Sequence, residues 1–206
     1  TYYDKNVGGS ATVLRTIFST GTDVSTKFYR TFNINTNFLN LDLKGLRHII
    51  TPTITYLYSN KPTVPGSKLI QLDTSDSIIN SSHSAKIELS NVLQTKRGGA
   101  TVELANFLIT NTYNMKTSGQ KGNLGNFDYK LEIAPYSWMS VVTNATYDQS
   151  LRAFSQVNYA FNLHFSENNT FGFGQRYNRK GSNELTYNVK WKLHPKWQLS
   201  IYERMA

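Results

Sequence analysis

Near its C-terminal end the chain alternates apolar and polar residues with a period of two, and no other feature of the sequence narrows the fold so far. Leu185, Tyr187, Val189, Trp191 and Leu193 interleave with Glu184, Thr186, Asn188, Lys190 and Lys192. Successive side chains of a β-strand point to opposite faces, so such a run gives one apolar and one wet face. The turn His194-Pro195-Lys196 follows, and Trp197, Leu199 and Ile201 then alternate with Gln198, Ser200 and Tyr202. Two two-faced strands joined by a short turn make a hairpin.

The same pattern recurs upstream. Leu151, Ala153, Val157, Tyr159, Phe161, Leu163 and Phe165 share one phase against Arg152, Gln156, Asn158, Asn162 and His164. Phe127, Tyr129, Leu131 and Ile133 alternate with Asp128, Lys130 and Glu132. Further strands are predicted over residues 11–18, 24–38, 46–59, 84–95, 100–115, 137–147 and 170–177. The count is roughly ten to twelve strands separated by turns rich in Gly, Asn, Ser and Lys, an antiparallel up-and-down meander. Several predicted strands exceed the five or six residues usual in soluble sheets and suit strands tilted across a bilayer.

Composition agrees. The 206 residues include 13 Tyr, 11 Phe and 3 Trp but only 17% charged residues, a mixture that favours pleated surfaces over helices. Mean hydropathy is −0.43, and no apolar run approaches the roughly 18 residues of a membrane-crossing helix. A membrane barrel is not excluded by that, because only alternate residues of its strands face lipid. Two classes stay open on pattern alone: a partial transmembrane β-barrel and a soluble β-sandwich, which alternates in the same way. Strand length and the run of consecutive hairpins favour the barrel. In that reading Lys130, Glu132, Lys190 and Lys192 sit in a wet lumen, and Trp138, Trp191, Trp197, Tyr56 and Tyr58 suit interfacial girdles. The chain begins at Thr1 without a signal peptide and ends on a strand-like run, so residues 1–206 are expected to be part of one barrel domain cut at both ends.

There are no cysteines, and His48, His83, His164 and His194 are too far apart to form a recognisable ligand motif. No catalytic signature is present, neither G-x-S-x-G nor H-E-x-x-H nor a phosphate-binding loop, so no enzymatic activity and no cofactor or metal are expected. The net charge of +9 is compatible with nucleic acid, yet the aromatics alternate into strand faces and the charges fall in turns. That placement argues against a stacking, basic nucleic-acid groove.

The stretch 45–97 carries more specific information. It holds Arg47 and His48, then Pro52, Tyr56 and Tyr58, in the pattern R/K-H-x-x-x-P-x-x-x-Y-x-Y. A loop with Pro62, Pro65 and Asp73 follows, then Asp76 and Ile78, then Asn91-Val92-Leu93-Gln94. In order and spacing these residues resemble the C-terminal barrel region of the LptD (OstA) lipopolysaccharide-assembly family. The resemblance covers about a quarter of the chain in detail and the rest in architecture. It implies an outer-membrane barrel of Gram-negative bacteria that inserts lipopolysaccharide into the outer leaflet, with an LptE-like lipoprotein plugging the lumen and periplasmic Lpt bridge proteins delivering the lipid. The cysteines common in the family are missing, so disulfide-controlled maturation does not carry over, and the family's periplasmic jellyroll is not visible in these residues.

Each singled-out residue also has a plainer reading. Pro52 in mid-strand removes a ladder hydrogen bond; it marks either a bulge that bends the strand or, by the resemblance, a weakened seam. His48 has no partner at ligand spacing and reads as a structural residue at a strand start. Asp73 and Asp76 fit a capped turn better than a divalent-cation site. The cations Lys61, Lys68, Lys116, Lys121, Arg179 and Lys180 fall in predicted loops, where they are either solvated charge or contacts for anionic lipopolysaccharide. If residues 60–83 form an extracellular loop, residues 116–123 and 178–182 lie outside with them. Residues 96–99, 166–169 and 194–196 are then periplasmic turns.

Overall fold

A computed structural model describes residues 2–3, 13–64, 81–116, 121–181 and 183–206. Among them the structure is all-β apart from one 3₁₀ turn at Phe38–Asn40. The strands are β1 (Tyr2–Tyr3), β2 (Val13–Leu14), β3 (Ser19–Ser25), β4 (Phe28–Thr36), β5 (Leu43–Ser59), β6 (Ser82–Arg97) and β7 (Ala100–Asn114). They continue with β8 (Asn123–Tyr136), β9 (Met139–Asp148), β10 (Ala153–Ser166), β11 (Asn169–Asn178), β12 (Glu184–His194) and β13 (Trp197–Met205). β1 and β2 pair separately, and the other strands form one eleven-stranded sheet in the order β13 to β5 and then β3, with β4 also on β5. It is an antiparallel up-and-down meander, and the order does not close on itself among the described residues, as in part of a barrel. No helix there is long and apolar enough to cross a membrane, which says nothing of crossing by strands.

Residues cluster into two compact units, one of Thr1–Val24, Ile54–Lys86 and Thr112–Leu124, the other of Ser25–Thr53, Ile87–Asn111 and Gly125–Ala206. In the second unit the predicted alternation becomes two continuous faces. On one, cross-strand register lines up Ile133, Val141, Phe161, Phe173 and Tyr187, and a parallel row Met139, Leu163, Phe171, Val189 and Ile201. Phe173 stacks obliquely on Tyr159 and Tyr187 at centroid distances of 6.2 and 5.2 Å, and Glu203 of β13 is the charged residue in these rows. The opposite face carries Lys130, Asn144, Asn158, Arg176 and Glu184 in one row.

Tight two-residue turns at Gly98-Gly99, Ser137-Trp138, Glu167-Asn168 and Pro195-Lys196 join β6–β7, β8–β9, β10–β11 and β12–β13. The connections β5–β6, β7–β8, β9–β10 and β11–β12 are longer. β10 departs from its predicted phase. Its register against β9 shifts between Phe154 and Gln156, so the extra residue Ser155 turns Phe154, not Ala153, onto the apolar face. There Phe154 meets Tyr147 edge-on at 5.4 Å. Leu151 and Arg152 belong to the preceding turn, which Asp148 caps by accepting from the Ser150 hydroxyl and from the N–H groups of Ser150 and Leu151 at 2.6, 2.8 and 3.0 Å. The predicted strand 11–18 shrinks, in its described part, to Val13–Leu14, because Thr16 and Phe18 bond instead to Thr63 and Asn60.

Candidate functional site

The residues singled out by sequence lie mostly on β5 and its neighbours. Arg47 donates through Nε and Nη2 to Gln94 Oε1 on β6 at 3.2 and 2.6 Å, and Gln94 passes the contact on by donating to Glu103 Oε1 on β7 at 3.2 Å. The chain Arg47–Gln94–Glu103 therefore crosses three strands on one face. Gln94 belongs to the motif; Glu103 lies outside it, although counting back four pairs from the Gly98-Gly99 turn sets it opposite Gln94. Next to this row Gly45 sits at φ +71°, a conformation open to glycine, which lets Lys44 N–H and Gly45 C=O both turn to the buried Thr95 hydroxyl at 3.1 and 2.7 Å.

In the other unit, Tyr56 and Tyr58 both approach His83 edge-on with centroid distances of 5.6 Å, and the Tyr56 hydroxyl hydrogen-bonds His83 Nε2 at 2.9 Å. In the sequence His83 is only one of four scattered histidines; the long β5–β6 connection hides how close it comes to the tyrosine pair. His48 lies opposite Arg30 in the β4–β5 register, and Asn91 is a half-buried residue of β6. Among the described residues no cluster of three or more His, Asp or Glu is arranged to hold a metal.

Pro52 keeps β5 continuous but splits the strand beside it. Thr26 N–H donates to Pro52 C=O at 3.3 Å, so the missing Pro52 N–H faces the same neighbour, and β3 ends at Ser25 while β4 begins at Phe28. The break beside Pro52 falls on the partner strand, where the acceptor that faces the missing N–H lies, and β5 itself runs on.

Lys61, Lys116 and Lys121 are exposed on the connections β5–β6 and β7–β8, and Arg179 and Lys180 are exposed after β11. Lys68, Asp73 and Asp76, with the turn or cation site considered for the two acids, lie outside the described residues.

The two faces differ from those of a sandwich in what covers them. Leu104 is the buried hydrophobic residue among those described, while Ile54, Ile87, Phe154, Leu199 and Ile201 are all more than 40% exposed. Among the described residues no second layer of protein covers these side chains. A family model described as LptD protein matches residues 14–166. The chain belongs to the LptD family. The match contains the whole 45–97 stretch and runs to Ser166, the last residue of β10, and the antiparallel sheet continues beyond it through β11–β13. Membership gives the chain a role in lipopolysaccharide transport and assembly, and the LptD family is one of outer-membrane transport proteins. A search of curated proteins found no match.

Proposed function

We propose that residues 1–206 are part of the wall of one outer-membrane β-barrel domain that inserts lipopolysaccharide into the outer leaflet, without enzymatic chemistry of its own. The observation that carries this reading is the pairing of an uncovered apolar face with a polar one on a single sheet. In water each large exposed apolar side chain forgoes about 1.5–3 kcal/mol of burial, a deficit that acyl chains remove. Every strand of the sheet except the outermost is hydrogen-bonded to a neighbour on each side, as a bilayer demands. The polar face then lines a hydrated passage for the sugars. Trp138 and Trp197, in or beside tight turns, and Trp191, near the end of β12, suit an interfacial girdle, as do Tyr56 and Tyr58.

Lipopolysaccharide is anionic, and the cations of the longer connections, Lys61, Lys68, Lys116, Lys121, Arg179 and Lys180, are its proposed contacts at the outer surface. An LptE-like lipoprotein would fill the lumen, and periplasmic Lpt bridge proteins would deliver the lipid. The row Arg47–Gln94–Glu103 holds the wall rigid on the lumen side.

Depleting the full-length protein in its own host and labelling lipopolysaccharide at the cell surface tests this reading. A fall at the surface with lipid retained in the periplasm or inner membrane is expected; an unchanged surface makes the barrel a passive porin.

A further inference from the structure

Over β10–β13 the polar face carries a patch unlike the rest of it. Register sets Asn162, Gly172, Asn188 and Tyr202 in one row and His164, Thr170, Lys190 and Ser200 in the next. A depression of about 410 Å³ lies over these two rows. Beside it the Asn188 amide packs against Gly172 so closely that a side chain at residue 172 would displace it.

Two properties indicate what the patch accepts. Two other cations on this face are matched, Lys130 by Glu132 at 2.8 Å and Arg204 by Glu184. Lys190, and Lys192 two pairs further along opposite Gln198 and outside the lining of the depression, have no carboxylate partner among the described residues. The second property is Tyr202, an aromatic ring in a polar phase and 69% exposed. Two unmatched ammonium groups attract a phosphate; amides in a row donate to and accept from hydroxyls; an exposed ring supports the C–H face of a sugar.

We infer that this patch is a binding site for a phosphorylated saccharide. Lys190 and Lys192 take the phosphate, His164, Asn162 and Asn188 the hydroxyls, and Tyr202 the sugar ring. An anion alone would not need Tyr202, and a neutral glycan would not need the lysines. The inference rests on the lipopolysaccharide reading for its source of ligand, but the site can fail independently.

The test uses the full chain folded in detergent micelles and three probes: acyl-free phosphorylated core oligosaccharide released from lipopolysaccharide, the same oligosaccharide stripped of phosphate, and inorganic phosphate. The wild-type protein should bind the phosphorylated oligosaccharide on the order of tenfold more tightly than the stripped one, the scale of one charge-assisted contact. Inorganic phosphate should compete only weakly. Lys190→Gln with Lys192→Gln should abolish the preference, Lys190→Arg should keep it, and Tyr202→Ala should weaken both oligosaccharides. A preference that survives the double substitution, a neutral Tyr202→Ala, or full displacement by inorganic phosphate overturns the site. So does a wild-type protein that binds neither oligosaccharide, and that result leaves the transport reading to the depletion experiment.

Discussion

The hairpins of β8–β13 and the pair β4–β5 are built from similar residues, yet they hold their shape by different means. In β8–β13 the backbone ladder does nearly everything: long runs of register, with shifts within three residues of one strand's end, and one apolar row after another. In β4–β5 the ladder is interrupted at Pro52 and again where the register shifts between Phe32 and Asn35. Their connection, residues 37–42, places Leu39, Asn40 and Asp42 at φ 52°, 59° and 41°. Side chains from distant strands supply what the backbone there lacks. Arg97 donates to Leu41 C=O at 3.0 and 2.7 Å and also to Pro135 C=O, and the Tyr136 hydroxyl donates to Leu39 C=O at 2.6 Å. Where local pairing stops, tertiary pairing replaces it.

The sharpest way to break the comparison is to charge the apolar face. Val189→Arg, between Phe171 and Ile201, should cost about 2–4 kcal/mol in urea refolding into lipid vesicles. Ser200→Arg on the opposite face should cost under about 0.5 kcal/mol. Equal costs would mean that the two faces do not meet different solvents.

Arg97→Ala removes the fastening of residues 37–42 and should cost about 1.5–3 kcal/mol, since its hydrogen bonds are charge-assisted. Hydrogen exchange should then quicken over 37–44 while β11–β13 stay protected; uniform loosening would show that the fastening is not local. The smaller partner, Tyr136→Phe, should cost about 1 kcal/mol by the same measurement.

The opposite manipulation makes the irregular pair regular. Pro52→Val returns a donor toward Thr26 and should stabilise by about 0.5–1.5 kcal/mol, with new exchange protection at the substituted position and in residues 24–28. No gain in protection would show that the break between β3 and β4 has a cause other than the proline.

Much of this is legible in the residue order for a physical reason. Alternation is a one-dimensional record of a two-faced sheet, so the strands and faces of β8–β13 follow from it. The phase of β10 is the exception, because a bulge is one extra residue and leaves no mark in composition. Arg47, Pro52, Tyr56 and Tyr58 stand out through their spacing, while His83, Glu103 and Arg97 do not. Their partners lie across strands or beyond turns, where distance along the chain says little about distance in space.

By itself the sequence determined the all-β class, the order of hairpins, which residues of a regular strand share a face, and membership of the LptD family. Tertiary structure alone decided that the apolar face is uncovered among the described residues, that the break beside Pro52 falls on its neighbour and not on its own strand, that Arg97 and Tyr136 hold the 37–42 connection, and that Tyr202 stands one row from the unmatched Lys190. Local patterning is written by steric and solvation preferences of each residue. Cross-strand register and long-range hydrogen bonds depend on where the whole sheet brings those residues together.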